Sequence, residues 1–189
     1  MPRRALGLLF FALTTSTAWA GVTPAPSTSV APSSSTKAAA REAFMAGMKL
    51  YEAGDHAGAL SKFSEAWALI PVSTVRLNIA RCQEKLGRTA TAWAEYKAAA
   101  ADAKAEGKAK VETQANDGAA ALEPKVPWLT ITVTPSDALV KVDGESVASG
   151  VASPVDPGAR VVTAQKGAKS KKVTVVVAEG DKKKIAVAL

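Results

Sequence analysis

Residue types able to carry covalent or metal chemistry are scarce in this chain. His56 is the only histidine and Cys82 the only cysteine among 189 residues. A Ser-His or Cys-His pair, or a His-based metal site, would have to be assembled around one imidazole in a turn between helices, without the further groups that orient a base or complete a coordination sphere. Cys82 has no partner for an intramolecular disulfide, so packing must supply the stability. It lies among Ala80, Arg81 and Gln83 and reads as a small buried packing residue. No glycine-rich loop precedes a helix and no metal-ligand spacing occurs. The expectation is therefore a non-enzymatic protein with no catalytic residue, no cofactor and no metal.

What the chain does offer is charge. The formal net charge is +7, and two of the arginines, Arg3 and Arg4, fall in a leader expected to be removed. Residues 37–124 hold 12 Lys or Arg against 11 Asp or Glu, net +1, whereas residues 125–189 hold 10 against 6, net +4. The excess is carried by Lys166, Lys169, Lys171-Lys172 and Lys182-Lys183-Lys184, at the two ends of predicted strands. Two readings are open. These lysines suit a docking face for an anionic envelope polymer or lipid head group, and they equally suit edge strands that resist pairing with a second molecule. No aromatic residue is interleaved with them in sequence, and export separates the chain from nucleic acid, so nucleic acid is not expected as a partner.

Several segments must position these groups. Residues 1–20 join Arg3-Arg4 to an apolar Ala5–Leu13 run and end in Ala18-Trp19-Ala20, the layout of a secretory signal peptide. Its apolar run is too short to span a bilayer and no later run is longer, so the mature chain is expected in the periplasm or at the cell surface with no integral membrane segment. Residues 21–36 are rich in Pro, Ser and Thr, carry no charge and show no periodicity, which predicts a disordered linker. Helical spacing then predicts Ala40–Ala53, a second helix from an Asp55 cap to about Leu69 ahead of Pro71, Thr74–Leu86, a long helix opened by Thr89 and running to about Ala105, and a capping helix Lys108–Leu122.

The first two of these pairs repeat. Phe44, Gly47, Gly54, Ala59, Phe63 and Ala66 are matched in register by Leu77, Ala80, Gly87, Ala92, Tyr96 and Ala99, thirty-three residues on. Small residues where helices touch, a glycine closing the first helix of each pair and an aromatic filling the space between them define a unit that hides its apolar side only against a neighbour. Through Gly47, Leu50, Gly54-Asp55, Ala59, Phe63, Ala66 and Pro71 the segment resembles the tetratricopeptide repeat family. The unit is one residue shorter than is usual there, and Arg88 replaces an acidic residue. In that family the first helix of each pair lines a concave groove. The resemblance therefore implies a protein partner held by Arg41, Phe44, Met48, Tyr51, Glu52, Asn78, Arg81 and Lys85, with Thr74 and Glu84 beside them. An Asn on such a helix can hold a peptide backbone or carboxylate, and Arg81 and Lys85 lie one turn apart. The plainer alternative makes Phe44, Met48 and Leu77 core and pairs Arg81 with Glu84, or Lys85 with Glu52.

Past Pro124 and Pro127 the period changes to two. Leu129-Ile131-Val133, Val140-Val142, Val161–Ala164, Val173–Val177 and Ile185–Leu189 alternate as short strands between turns at Pro135-Ser136-Asp137, Asp143-Gly144, Asp156-Pro157-Gly158 and Glu179-Gly180-Asp181. Val140-Lys-Val-Asp-Gly144 followed by Asp156-Pro-Gly-Ala159 and Val161 is similar to the PEGA domain, a small β-module frequent at bacterial cell surfaces, although the turn letters depart from its name. The expected architecture is α+β and multidomain: helical hairpin repeats over 37–123, then a small antiparallel β-sandwich over 124–189. The expected role is an extracytoplasmic interaction scaffold, with polyanion binding by the basic β part as the alternative.

Overall fold

The computed structural model describes residues Pro32–Leu189, which form one compact unit. The signal peptide expected over 1–20, and the linker expected over 21–36 as far as residue 31, lie outside the described residues. Within them the chain is α+β, with five helices followed by a β region of two sheets.

Helix α1 spans Ser34–Glu52, α2 His56–Leu69, α3 Ser73–Lys85, α4 Thr89–Ala105 and α5 Ala109–Leu122. The first begins six residues before the expected Ala40, inside the stretch read as linker. The cause is a cap: Ser33 Oγ accepts the Thr36 amide at 3.1 Å, and the Lys37-Ala-Ala-Ala-Arg41 run behind it favours helix strongly. The serine that looked like linker composition is a helix start. Asp55 caps α2 as expected, its Oδ1 accepting the Gly58 amide at 2.8 Å. The turns after α1, α3 and α4 hold Gly54, Gly87 and Gly107 at φ +82°, +72° and +69°, with nothing within 4 Å of where a Cβ would stand. Backbone torsion rather than space selects glycine there.

Gly47 is kept small for a different reason. A Cβ on it would lie 2.8 Å from carbons of the Phe63 ring, which is fully buried between α1 and α2 with Ala59 and Ala66. The next layer repeats the device with an extra partner. Tyr96 of α4 packs in a cluster with Leu77, Ala80 and Ala92, and a Cβ on Gly118 of α5 would meet its ring at 2.7 Å. Burying rings of this size contributes roughly 1.5–3 kcal/mol each.

The β region comprises β1 Trp128–Thr134, β2 Leu139–Val142, β3 Glu145–Val147, β4 Ala152–Pro154, β5 Gly158–Lys166, β6 Lys169–Val177 and β7 Lys182–Ala188. One sheet has the order β4-β1-β7 and the other β3-β2-β5-β6. Leu129, Ile131 and Val133 from β1, Val140 and Val142 from β2, Val162 and Ala164 from β5, Val175 and Val177 from β6 and Val187 from β7 share one apolar cluster. The expected purely antiparallel pairing is corrected at one place: β1 and β7 run parallel over the whole of both strands. Five strands intervene in sequence between β1 and β7. Period-2 alternation identifies each strand's buried face but carries no information on its neighbour's direction. The short β3 and β4 also escape the alternation.

The helical and β parts are stitched together. After a single 3-10 turn, Glu123–Lys125, the buried Val126 and Pro127 lead into β1. The Trp128 amide donates to the Asp181 carbonyl at 2.6 Å and the Gly180 amide to Lys125 at 2.8 Å. None of the helices among the described residues is long and apolar enough to cross a membrane.

Candidate binding face

Three of the nominated residues, Arg41, Phe44 and Thr74, line an apolar groove of about 250 Å³. Its floor is Ala40, Ala66 and Val75, all buried, with Ile70 and Val72 from the α2–α3 connection. Phe44 is half-buried, its ring centroid 5.5 Å from that of Phe63, so it serves both the core and the groove wall. Lys37 and Arg41 are exposed on the same wall. The local sequence explains the arrangement: Lys37, Ala40, Arg41 and Phe44 fall at i, i+3, i+4 and i+7, one face of α1.

A second group forms around α3. Asn78 is 8% exposed; its Nδ2 donates to the Thr74 carbonyl at 2.9 Å, and its Oδ1 accepts from Arg81 Nη1 at a long 3.4 Å. Tyr96 Oη donates to Glu84 at 2.7 Å. Burial pushes the Tyr96 hydroxyl pKa up, and the Glu84 carboxylate pushes it further, with Arg81 pulling the other way. The Tyr51 hydroxyl is also raised, by burial first and then by Cys82 and Glu84, again against Arg81. Both phenols are therefore neutral at physiological pH, but the Tyr96 proton is already donated to Glu84. Tyr51, Arg81 and Asn78 remain as donors beside that carboxylate, a set suited to a neutral peptide carbonyl. Burial pushes the Cys82 thiol up to about 11, which leaves no thiolate to act as a nucleophile.

The structure thus places Arg41 with Phe44, and Asn78 with Arg81, whose charge also acts on Tyr51. Met48 packs against the Phe63 cluster. Glu52 and Lys85 are exposed and join neither group. Neither ion pair of the plainer reading forms among the described residues; Glu84 instead accepts from Tyr96. Among the described residues no three His, Cys, Asp or Glu side chains come together to hold a metal ion.

Several contacts were not legible beforehand. Arg76 stacks 4.3 Å over the Trp67 ring and reaches Asp102 at 2.8 Å and Glu95 at 3.4 Å, tying α2, α3 and α4. Glu106, just past α4, accepts from the amide and hydroxyl of buried Ser73 at 2.8 and 2.7 Å, capping α3. Asp156, in the β region, accepts from the amide and hydroxyl of Thr91 at 2.9 and 2.6 Å, capping α4. Neither α3 nor α4 has a side-chain cap of its own. Ser73 stands directly before the expected start at Thr74 and reads as a cap, but it is the first residue of α3 and is itself held by Glu106.

Trp67 and Trp93 are half-buried; each packs one side on the core and presents a ring to a cation, Arg76 or Lys97. The expectation that no aromatic accompanies the lysines is also corrected. The parallel pairing sets Trp128 opposite Lys182 and Thr130 opposite Lys184, and the Trp93 ring meets Trp128 edge-on at 5.9 Å. The fold is α+β, with an apolar groove on its helical part and lysines along an outer strand of one sheet. Compared with known proteins, the chain matches no family model and no curated protein.

Proposed function

We propose that the protein is a non-enzymatic, extracytoplasmic interaction scaffold of the bacterial cell envelope. In this reading its helical part is a tetratricopeptide-type array that binds a protein partner, and its β part is a PEGA-like sandwich that docks or spaces the array. The hairpin geometry supports it, with glycine turns closing successive helices and Gly47 seated on Phe63. The observation that carries it is the apolar groove between α1 and α3 with Lys37 and Arg41 on its wall. An apolar floor beside two cations suits a short peptide segment bearing an apolar side chain next to an acidic one.

Panning the full chain against a displayed peptide library tests the reading. Enriched peptides should pair an apolar residue with Asp or Glu. Their binding should fall about tenfold or more in a Lys37→Glu/Arg41→Glu variant whose melting temperature is unchanged. Enrichment without acidic residues, or full binding by that variant, would remove the groove from the argument.

A further inference from the structure

A second surface, apart from the groove, has the makings of a ligand site. It is the outer face of the β4-β1-β7 sheet where that sheet meets α4. Trp128, Thr130, Ala152, Lys182 and Lys184 line a shallow depression of about 320 Å³ there. The outward positions of β1 continue with Thr132 and Thr134, and those of β7 with Ala186 and Ala188, so the strands' outer face carries hydroxyls, methyls and cations and no carboxylate. Among the described residues Lys182 and Lys184 form no ion pair. Lys97 is likewise without one and lies 4.3 Å over the Trp93 ring, next to Trp128.

β7 is an outer strand of its sheet, so edge protection accounts for lysines on it, but not for their seat beside an indole. Here two lysines flank a half-buried indole in the depression, and a third follows on the neighbouring tryptophan. An indole offers an apolar plate of the size of a pyranose ring, whose axial C–H groups pack against it. Ammonium groups at its margin pair with carboxylates, and the threonine row is suited to hydroxyl-rich neighbours. We propose that this face binds an acidic polysaccharide, with one sugar on Trp128 and its uronate carboxylates on Lys182, Lys184 and Lys97. Single-stranded nucleic acid is disfavoured because it stacks successive bases on several open rings, whereas Trp93 meets Trp128 edge-on and one plate remains. A lipid surface is disfavoured because the strand positions on this face hold no aliphatic side chain larger than Ala or Pro to enter a bilayer.

The test is titration of the full chain with polygalacturonate, with dextran as the neutral polymer and a thymidine oligonucleotide as the other polyanion, followed by tryptophan fluorescence. Polygalacturonate should bind, perturb the fluorescence and weaken as salt is raised, while dextran should not bind. Lys182→Glu/Lys184→Glu, at exposed positions that leave the fold intact, and Trp128→Phe should each weaken it about tenfold. Lys169→Glu/Lys172→Glu, on the other sheet, should leave it within about twofold. The proposal is overturned if polygalacturonate fails to bind, if both lysine pairs weaken it equally, or if the oligonucleotide or anionic lipid vesicles bind as tightly.

Discussion

Asp156→Ala removes the one carboxylate that joins the β region to the N-terminus of α4. Two bonds disappear, the amide of Thr91 at 2.9 Å and its hydroxyl at 2.6 Å, both at a half-buried seam. Loss of a capping side chain costs about 1 kcal/mol, and bonds to a charged acceptor are each stronger than neutral ones, at roughly 1.5–3 kcal/mol before any exposure is allowed for. Discounting for solvent at the seam, the whole substitution should cost about 2 kcal/mol, and Asp156→Asn, which keeps an acceptor but not the charge, about half as much. For a unit of this size that is a drop of about 4–8 °C in melting temperature. Urea unfolding should be followed in parallel by far-ultraviolet circular dichroism, dominated by the helices, and by fluorescence, which Trp93 and Trp128 report from the seam. The two transitions should coincide in the natural chain and separate in Asp156→Ala, because the helical and β parts then lose a shared restraint. A double-mutant cycle with Thr91→Ala should return a coupling of about 1 kcal/mol for the hydroxyl bond. Zero coupling, or an Asp156→Ala chain as stable and as cooperative as the natural one, would refute the idea that α4 is capped from the β region.

Other perturbations have equally definite outcomes. Gly47→Ala sets a methyl 2.8 Å from the buried Phe63 ring and should destabilise by about 1–3 kcal/mol in chemical unfolding; a neutral result would mean that α1 and α2 are not in close contact. Cys82, with its thiol raised to about 11 by burial, should react with a thiol reagent at neutral pH only as fast as the chain unfolds, and urea should accelerate the reaction. Burial acts to raise the Glu106 carboxyl, but the bonds from Lys108 and Ser73 outweigh it and hold the group below its ordinary 4.5. Since the folded pKa is the lower one, its stabilisation is complete above the unfolded value and is lost as pH falls through the folded one. The stability difference between the natural chain and Glu106→Gln should therefore be constant near neutrality and vanish in acid.

The helices were largely legible because their signals are local. Asp55 next to Gly54 and the glycine at Gly87 act within one turn of the chain, and the match of Phe63 by Tyr96 is a repeat that spacing alone displays. Ser33 failed as a signal because capping and linker composition use the same residue. The strands were legible as strands, through Ile131, Val133, Val175 and Val177 on one face, but the neighbour of β1 was not. The parallel return of β7 depends on long-range packing, and with it went the juxtaposition of Trp128 with Lys182. The binding residues divide along the same line. Arg41 and Phe44 share a helix face and so were read together, whereas the engagement of Glu84 by Tyr96 crosses between helices twelve residues apart and stands where the pairing with Arg81 was the alternative.

The caps bear on why so short an array is stable. Two hairpins of this kind bury too little apolar surface for the backbone they order, at about 1–2 kcal/mol per residue, unless something covers the open end. The first two helices are capped by their own flanks, at Ser33 and Asp55. The next two are capped only from further along the chain, α3 by Glu106 and α4 by Asp156. α3 thus takes its cap from the end of α4, and α4 from the β region, so each later segment adds stability to the one before it. α5, with Gly118 closed onto Tyr96, covers the apolar side of the α3–α4 pair, and the β region adds the two Asp156 bonds at the N-terminus of α4.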